Sequence, residues 1–253
     1  MSKRSILVCM LLAMAPLPGF ASRKPATFSV LAFYSANVEH DHVEFAEQSL
    51  RFFSEMAKRD SFQFASTTNW NDLNSTRLEH VDVVLWLNDS PHTDEQRTAF
   101  ERYMERGGGW LGFHAAGYND SDTHWPWFVK FLGGTVFYGN SWPPLPATLS
   151  VDDKASSVTR RLPPIFKSPA NEWYSWLPSP RASKDVRVLL TLDASNYPLG
   201  FKDTLTSGDI PVVWTNTTYR MIHMNMGHGD KIFTDAHQND LFEDALRWLG
   251  VRR

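Results

Sequence analysis

The sequence has a single cysteine, Cys9, which lies in an apolar stretch near the start of the chain. Beyond it there is no thiol to form a disulfide bond, to act as a nucleophile or to bind zinc as a thiolate. Basic residues are not in excess, because 25 Lys and Arg face 28 Asp and Glu and give a formal net charge of −3. This balance provides no positive field for nucleic acid or for an anionic membrane surface. We therefore expect a small, uncharged or weakly charged molecule as the partner.

The N-terminal 21 residues have a composition of their own. Two basic residues precede an apolar run over residues 6–17, and Gly19 and Ala21 are small. This arrangement is typical of a secretory signal peptide with a cleavage site after Ala21, and the run is too short to span a bilayer. We therefore predict a signal peptide over residues 1–21 and a mature chain over residues 22–253.

The predicted mature chain has no cysteine, and none of its apolar runs is long enough to suggest a membrane span. We expect it in the periplasm or outside the cell, with no membrane partner after cleavage. Hydrophobic residues make up 42% of the whole sequence, which contains 17 Phe, 10 Trp and 7 Tyr. Such a composition excludes a disordered chain and supports one domain with a sizeable core.

Apolar runs with β-strand character alternate with amphipathic helical patterns in the first half of the mature chain. The run at 81–87 is almost continuously apolar, which is typical of a strand buried on both faces of a parallel sheet. Thr93 and Gln96 form a capping-box pattern that predicts the start of a helix. The alternation predicts a doubly wound α/β fold with a mainly parallel sheet. The predicted strands are 28–34, 61–66, 81–87 and 110–113, and the predicted helices are 43–58 and one from residue 93.

Proline-rich, aromatic-rich sequence over residues 118–208 interrupts this pattern. It predicts a long loop-rich excursion over the strand ends, with short strands near 148–151 and 186–192, rather than a second domain. After it, the sequence predicts two paired strands and a closing helix. These elements are the strands 210–214 and 219–226 and the helix 239–249.

Three polar residues stand in settings that suggest chemistry. His114 follows a glycine-rich predicted strand and has small neighbours, as in a nucleophile elbow, so it is either a catalytic or ligand-binding group or a histidine satisfied within the turn. Glu172 lies beside Trp173, where desolvation would let it move protons; alternatively it accepts sugar hydroxyls or braces a loop. His228 lies between glycines after a predicted strand. Because ligands of α/β folds bind beyond the carboxyl ends of the strands, we expect His114, Glu172 and His228 to converge as a catalytic site.

A fourth cluster, Glu39-His40-Asp41-His42, either binds a metal or forms a solvated loop in which Asp41 caps the helix predicted from residue 43. Beyond the His40/His42 pair there is no dense ligand motif, so we expect no tightly bound metal and no other cofactor. Aromatic faces interleaved with amides and carboxylates suit sugars, although packing of the loops is the plain alternative. The candidate substrate-binding residues are His40, His42, Tyr118, Asn119, Asp120, Trp125, Asn140, Trp173 and Tyr174.

Several motifs occur in an order that resembles the trehalose-utilisation (ThuA-like) family, of the class I glutamine amidotransferase-like, flavodoxin-related folds. The matching segments are Arg106-Gly-Gly-Gly-Trp-Leu-Gly-Phe-His-Ala-Ala116, Trp125-Pro-Trp-Phe, Leu132-Gly-Gly-Thr-Val-Phe-Tyr-Gly139, Asn171-Glu-Trp-Tyr174, Pro211-Val-Val-Trp214 and Met226-Gly-His228. The sequence departs from the family pattern at Asn140, where a histidine is usual, at Asn171, where an acid is usual, and at Asn216-Thr217-Thr218, where Gly-Lys-Gly is usual.

The resemblance implies a single ThuA-like domain over residues 22–253 and a role in carbohydrate utilisation, with disaccharides and 3-keto-glycosides as substrates. In the mechanism we predict, Glu172 or a histidine removes a proton beside the keto group, and another histidine polarises the carbonyl or protonates the departing oxygen. Two alternatives stay open at this point: a non-catalytic sugar-binding protein, and a metal-dependent hydrolase that uses His40 or His42 with His114 and Glu172.

Overall fold

The computed structural model describes residues 27–120, 122–199 and 208–251. The predicted signal peptide lies outside these residues. The strands are β1 (Ser29–Phe33), β2 (Gln63–Thr67), β3 (Val83–Trp86), β4 (Gly109–Phe113), β5 (Val136–Asn140), β6 (Leu145–Val151), β7 (Ile165–Asn171), β8 (Tyr174–Leu177), β9 (Val186–Leu192), β10 (Pro211–Asn216) and β11 (Arg220–Met224). The α-helices are α1 (His40–Asp60), α2 (Ser75–Leu78), α3 (Asp94–Glu105), α4 (Pro126–Phe131) and α5 (Ala236–Gly250).

A nine-stranded mixed sheet forms the centre of the molecule, with the strand order β2-β1-β3-β4-β11-β10-β9-β6-β7. The strands from β2 to β11 in this order run parallel to one another. From β11 onwards each neighbouring pair is antiparallel. Strands β5 and β8 form a separate antiparallel pair. The predicted α/β fold with a doubly wound, parallel core is confirmed.

Helices cover both faces of the parallel strands, which explains why these strands are almost entirely apolar. Successive residues of a strand point to opposite faces, so neighbouring positions belong to different hydrophobic clusters. In β3, Leu85 packs in the cluster that contains Phe45 of α1 and Phe242 of α5. The preceding Val84 packs in the opposite cluster, with Phe100 of α3. Both layers are therefore sealed from water around the centre of the sheet.

The start of α3 is the local structure that the sequence predicts in most detail. The Thr93 side chain accepts from the Gln96 backbone amide, and the Gln96 side chain accepts from the Thr93 backbone amide, so the predicted capping box is confirmed. The helix ends at Glu105, and Gly107 follows with a φ of +85°. A glycine adopts this left-handed conformation without strain, and the chain can turn directly into β4.

The segment predicted as an excursion contains more strand than its composition suggests. Strands β6, β7 and β9 extend the central sheet rather than lying over its strand ends. Pro169 lies within β7, and β7 is the last strand of the sheet. A proline cannot donate a ladder hydrogen bond, but an edge strand has one side without a partner strand and therefore tolerates it. Pro169 thus marks an edge of the sheet and not its absence.

Parallel strands end at a common edge, and this edge brings distant parts of the sequence together. Strands β1, β4 and β11 lead respectively into α1, into a 3₁₀ turn over His114–Gly117 and into the loop that contains His228. The Asn171–Tyr174 connection between β7 and β8 lies at the same edge, because Glu172 contacts His114 and His228 there. Across the described ranges, no helix is both long enough and apolar enough to cross a membrane.

Candidate functional site

His114 begins the turn that follows β4, in a strained backbone conformation. Its φ is +44°, a value that residues other than glycine adopt uncommonly, and its side chain is fully buried. The ring Nδ1 lies 2.8 Å from the backbone oxygen of Asn225. Because a carbonyl oxygen can only accept, Nδ1 is the donor, and the opposite ring nitrogen is aimed away from it. The ring stacks on Tyr174 with 3.9 Å between centroids.

Glu172 lies between two histidines that come from different strands. Its Oε2 is 3.3 Å from Nε2 of His114 and 3.8 Å from Nε2 of His228. Its Oε1 accepts a hydrogen bond from the side-chain amide of Asn140, and the carboxylate also bonds with the Tyr174 hydroxyl. The structure thus brings the three predicted catalytic side chains together, with Asn140 and Tyr174 holding the carboxylate.

His228 is almost fully buried and approaches the site from the loop after β11. The neighbouring Gly227 has a φ of +158°, and a Cβ at this position would lie 2.4 Å from the Cβ of His114. Only a glycine allows the two histidine-bearing segments to come this close. On the other side of the ring, Nδ1 of His228 lies 3.3 Å from Oδ2 of Asp41.

The start of α1 supplies a third histidine and two more carboxylates. The helix begins at His40 rather than at residue 43, and Asp41 lies in its first turn instead of capping it. His42 is half-buried, and its ring centroid is 5.1 Å from those of both His114 and His228. Oε2 of Glu39 lies 3.3 Å from Nε2 of His42 and 3.2 Å from Nε2 of His228. We call Glu39, His42, His114, Glu172 and His228 the edge cluster.

Two buried amide side chains fix the loops that carry the edge cluster. Oδ1 of Asn171 accepts from the backbone amides of Gly227 at 3.0 Å and His228 at 3.1 Å. Nδ2 of Asn171 donates to the backbone oxygen of Glu172 at 2.7 Å. Asn225 exchanges hydrogen bonds with the backbone of Tyr174 through its side chain. An amide both donates and accepts, so Asn171 can tie the Glu172 and His228 segments together in a way that a carboxylate cannot.

Burial determines the protonation of the rings at this edge. Desolvation lowers the pKa of His114 to about 3, and the positive charge of a protonated His228 would lower it further. Desolvation also lowers the pKa of His42 to about 3, with His114 and His228 acting in the same direction. Burial raises the pKa of Tyr174, and the charge of Glu172 raises it further. At neutral pH, His42 and His114 are therefore neutral and Tyr174 keeps its proton.

Three of the predicted sugar-binding residues are buried in the protein interior. Trp173 is fully buried in the main core, and its indole nitrogen donates to the backbone oxygen of Leu145 at 2.8 Å. Trp125 packs in the opposite core cluster. Asn119 is fully buried and donates to the backbone oxygen of Gly117 at 3.2 Å. These positions argue for packing rather than for faces that a sugar can contact.

The other predicted sugar-binding residues lie at the surface or in the edge cluster. His40 is exposed, and its Nδ1 lies 3.6 Å from Oδ1 of Asp41. Tyr118 is also exposed, and its hydroxyl donates to Asp120 at 2.9 Å. His42, Asn140 and Tyr174 contact members of the edge cluster. Trp142 is exposed, and its ring centroid is 6.5 Å from that of His228.

The edge cluster contains the side chains that metal ions prefer. Within the described part of the chain, one set of three possible ligands joins Glu39, His42 and His228, and a second set joins His42, His114 and Glu172. In each set the possible donor atoms lie within 4.8 Å of one another. The two sets share His42 and occupy one continuous site, so this is the place where the protein could hold an ion.

Sequence reasoning missed Asn225, and it named Glu39 only within the segment 39–42, which either binds a metal or forms a solvated loop. Glu39 was part of an acidic, histidine-rich segment, but nothing local indicated that it reaches His228, which is far along the chain. Asn225 lies at the end of a predicted strand and carries no motif. The sequence could have suggested a role for Asn171, because an amide next to a candidate catalytic acid can position that acid through hydrogen bonds.

The sheet order, the strained residue after β4 and the edge cluster define the class of the protein. It is an α/β protein with a glutamine amidotransferase-like, flavodoxin-related fold, in which an imidazole occupies the elbow after a central strand. A family model described as trehalose utilisation (ThuA) matches residues 29–249. The chain therefore belongs to the ThuA family.

Solved structures agree with this assignment. A ThuA-like protein from Bacteroides uniformis has 51% sequence identity and a TM-score of 0.87, with 91% of this chain and 95% of that chain covered. A ThuA-like protein from Parabacteroides merdae has 19% identity and a TM-score of 0.66, with 90% and 91% covered. A glutamine amidotransferase from Thermotoga maritima has 10% identity and a TM-score of 0.52, with 89% and 99% covered, which shows the fold alone. The comparison with curated proteins gives no match.

Proposed function

We propose that this protein acts on a disaccharide or a 3-keto-glycoside by acid/base chemistry at the edge cluster. Membership of the trehalose-utilisation family supports a role in carbohydrate utilisation. The observation that carries the chemical part is the position of Glu172, whose Oε2 lies 3.3 Å from one histidine nitrogen and 3.8 Å from another. A carboxylate between two imidazoles can pass a proton in either direction.

In the proposed reaction, the carboxylate of Glu172 takes the proton from the carbon between the keto group and the glycosidic carbon. The electrons of that C–H bond form an enolate whose negative oxygen accepts a hydrogen bond from an imidazole. The enolate then collapses to restore the ketone, a double bond forms between the deprotonated carbon and the glycosidic carbon, and the bond from the glycosidic carbon to the leaving oxygen breaks. That oxygen receives the proton that Glu172 took up. The protonated Tyr174 hydroxyl and the Asn140 amide orient Glu172 throughout.

The Glu172→Gln variant tests this function. Glutamine keeps the size of the side chain and one acceptor oxygen but cannot carry the proton, so kcat/KM should fall roughly 100-fold or more while sugar affinity changes much less. Turnover is measured on a panel of disaccharides and their 3-keto forms. Glu105→Gln, at the exposed end of α3, is the matched control and should behave as wild type.

A non-catalytic sugar-binding protein is the second candidate, and the exposed Tyr118 and Trp142 near the edge cluster favour it. Aromatic faces bind the C–H faces of sugars without any chemistry. Calorimetric affinity for a sugar of the same panel, combined with no turnover of any member by wild type, would establish this alternative. Undiminished turnover by Glu172→Gln would instead remove Glu172 from the mechanism.

We also propose that the chain is exported and cleaved after Ala21, on the strength of the N-terminal sequence pattern alone. Mass spectrometry of material from the periplasm and the medium should find a protein that begins at Ser22. Recovery of the full-length chain from these fractions would contradict this proposal.

A further inference from the structure

Two atoms that normally accept protons face each other at the centre of the edge cluster. Nδ1 of His114 donates its proton to the backbone oxygen of Asn225 at 2.8 Å. The other ring nitrogen, Nε2, faces the site and lies 3.3 Å from Oε2 of Glu172. A lone pair and a carboxylate oxygen repel at this distance unless a proton or a cation lies with them.

Glu39 is a second carboxylate that lies at this distance from ring nitrogens. Its Oε2 lies 3.3 Å from Nε2 of His42 and 3.2 Å from Nε2 of His228. Neighbouring donor atoms in a tetrahedral zinc site, with bonds of about 2.0–2.1 Å, are about 3.3 Å apart. The spacings between nitrogen and oxygen atoms in the edge cluster thus match those of atoms that share one ion.

We propose that the edge cluster binds one divalent transition-metal ion, with zinc as the first ion to test. The ligands are Glu39, His42 and His228, whose possible donor atoms lie within 4.8 Å of one another, and the second set that shares His42, with His114 and Glu172, lies beside them. Neutral imidazoles and carboxylates without a thiolate suit zinc and its first-row neighbours. Two carboxylates also balance the charge of a divalent cation, so an ion would leave the buried site neutral.

Surrounding polar contacts orient these side chains as metal sites require. His114 donates its other ring nitrogen to a backbone carbonyl. The second ring nitrogen of His228 lies 3.3 Å from the carboxylate of Asp41. The oxygen of Glu172 that is not directed at the histidines is bound by the Asn140 amide. Contacts of this kind fix the tautomer of a ligand and the direction of its lone pair.

An ion in this position would polarise a sugar carbonyl or hydroxyl oxygen that entered the site. Glu39 would then be a ligand, and Glu172 would remain the carboxylate that carries the proton. The metal proposal rests on the geometry of the side chains and does not depend on the carbohydrate activity. Metal binding and sugar turnover are measured separately, so either proposal can fail without the other.

The experiment measures binding of metal ions alone to the full chain. The protein is treated with a chelator, dialysed and titrated calorimetrically with Zn²⁺, Mn²⁺ and Co²⁺, and metal content before chelation is measured by elemental analysis. Wild type should bind about one ion per chain. His42→Asn and His228→Asn should weaken binding roughly 100-fold or more, whereas His237→Asn, an exposed histidine of α5, should bind as wild type does.

Thermal unfolding checks that each variant is folded. Should His228→Asn not fold, Asp41→Asn replaces it, because this change removes only the carboxylate beside His228 and should weaken binding about tenfold. The visible spectrum of the Co²⁺ form gives a second readout and should show nitrogen ligation that is lost in His42→Asn. The proposal is overturned if none of the three ions binds to wild type, or if binding is equally strong in the folded ligand variants.

Discussion

The two edges of the parallel sheet use their charged residues differently. At the amino edge, Asp82 accepts hydrogen bonds from the backbone amide and hydroxyl of Ser29 at 2.8 and 2.9 Å. Arg220 donates to the backbone oxygens of Gly107 and Leu249. These side chains secure the ends of strands and a helix. At the carboxyl edge, by contrast, the charged and titratable side chains contact one another.

The size of a depression does not identify the functional edge. A cleft of about 690 Å³ opens at the amino edge and is lined in part by Asp82 and Arg220. The side chains of both residues already form hydrogen bonds with backbone groups, so they are not unsatisfied polar groups that could bind a ligand. At the carboxyl edge, His42 and His228 each have a buried ring nitrogen with no hydrogen-bond partner among the described residues. Unsatisfied polar groups, rather than the volume of a cleft, therefore indicate where a ligand is expected.

The largest effect on stability should come from closing the space between the two histidine-bearing loops. In Gly227→Ala, the new Cβ would lie 2.4 Å from the Cβ of His114, so the backbone must move. The free energy of unfolding in urea should fall by roughly 3 kcal/mol or more. Gly229→Ala is the matched control, because its φ is +87° but nothing lies within 4 Å of its Cβ. It should cost only about 1–2 kcal/mol. Equal losses in the two variants would show that the loops are not closely packed.

An intermediate effect is expected from Asp82→Asn at the amino edge. This change keeps an acceptor but removes the charge that two donors of Ser29 contact, so the free energy of unfolding should fall by about 1–2 kcal/mol. Turnover of any accepted sugar should stay at the wild-type value. Glu172→Gln should show the opposite pattern, with a large loss of rate and little loss of stability. A large rate loss in Asp82→Asn would erase the distinction between the edges.

The sheet pattern and the carboxyl-edge rule account for most of what could be predicted. Near-continuous apolar runs identified β1, β3 and β4, because strands covered on both faces have no polar side. Two histidines placed after β4 and β11 had to lie near each other once those strands ran parallel. Glu172 reaches the same edge although the strands around it were not predicted. Pro169 concealed β7, since a proline in an edge strand resembles a loop in the sequence.

The remaining features depend on contacts between segments far apart in the chain. The prediction of no tightly bound metal rested on the spacing of possible ligands within one short segment. The side chains of the edge cluster come from four separate segments of the chain. Aromatic residue type could not separate the exposed Trp142 from the buried Trp173. Similarly, Asn171 was noted only as a departure from an expected acid. Its hydrogen bonds to Gly227 and His228 show why an amide suits this position.

A pH dependence is also expected, and it arises inside the sheet rather than at either edge. His223 is fully buried in β11, and within the described part of the chain neither of its ring nitrogens has a hydrogen-bond partner. Burial lowers its pKa from 6.5 to about 3. Between these two pH values the unfolded chain takes up a proton that the folded chain does not. The free energy of unfolding should therefore decrease as the pH falls through this window, by about 1.4 kcal/mol per unit for this residue.

The His223→Leu variant isolates this contribution. Urea unfolding at pH values from 7 down to the lowest at which the protein folds should give a shallower slope for the variant than for wild type, by about one proton. At neutral pH the residue is uncharged in the folded protein, so the slopes of the two proteins should converge there. Identical slopes in acid would show that His223 takes up its proton in the folded state.

The position of the functional site is tested most directly by a crystal structure of the Glu172→Gln variant with a 3-keto-disaccharide or a disaccharide bound. We expect the sugar at the carboxyl edge, with its oxygens within hydrogen-bonding distance of residue 172 and of His114 or His228. A sugar bound instead in the amino-edge cleft beside Asp82 and Arg220, with the edge cluster untouched, would contradict the assignment of the functional site.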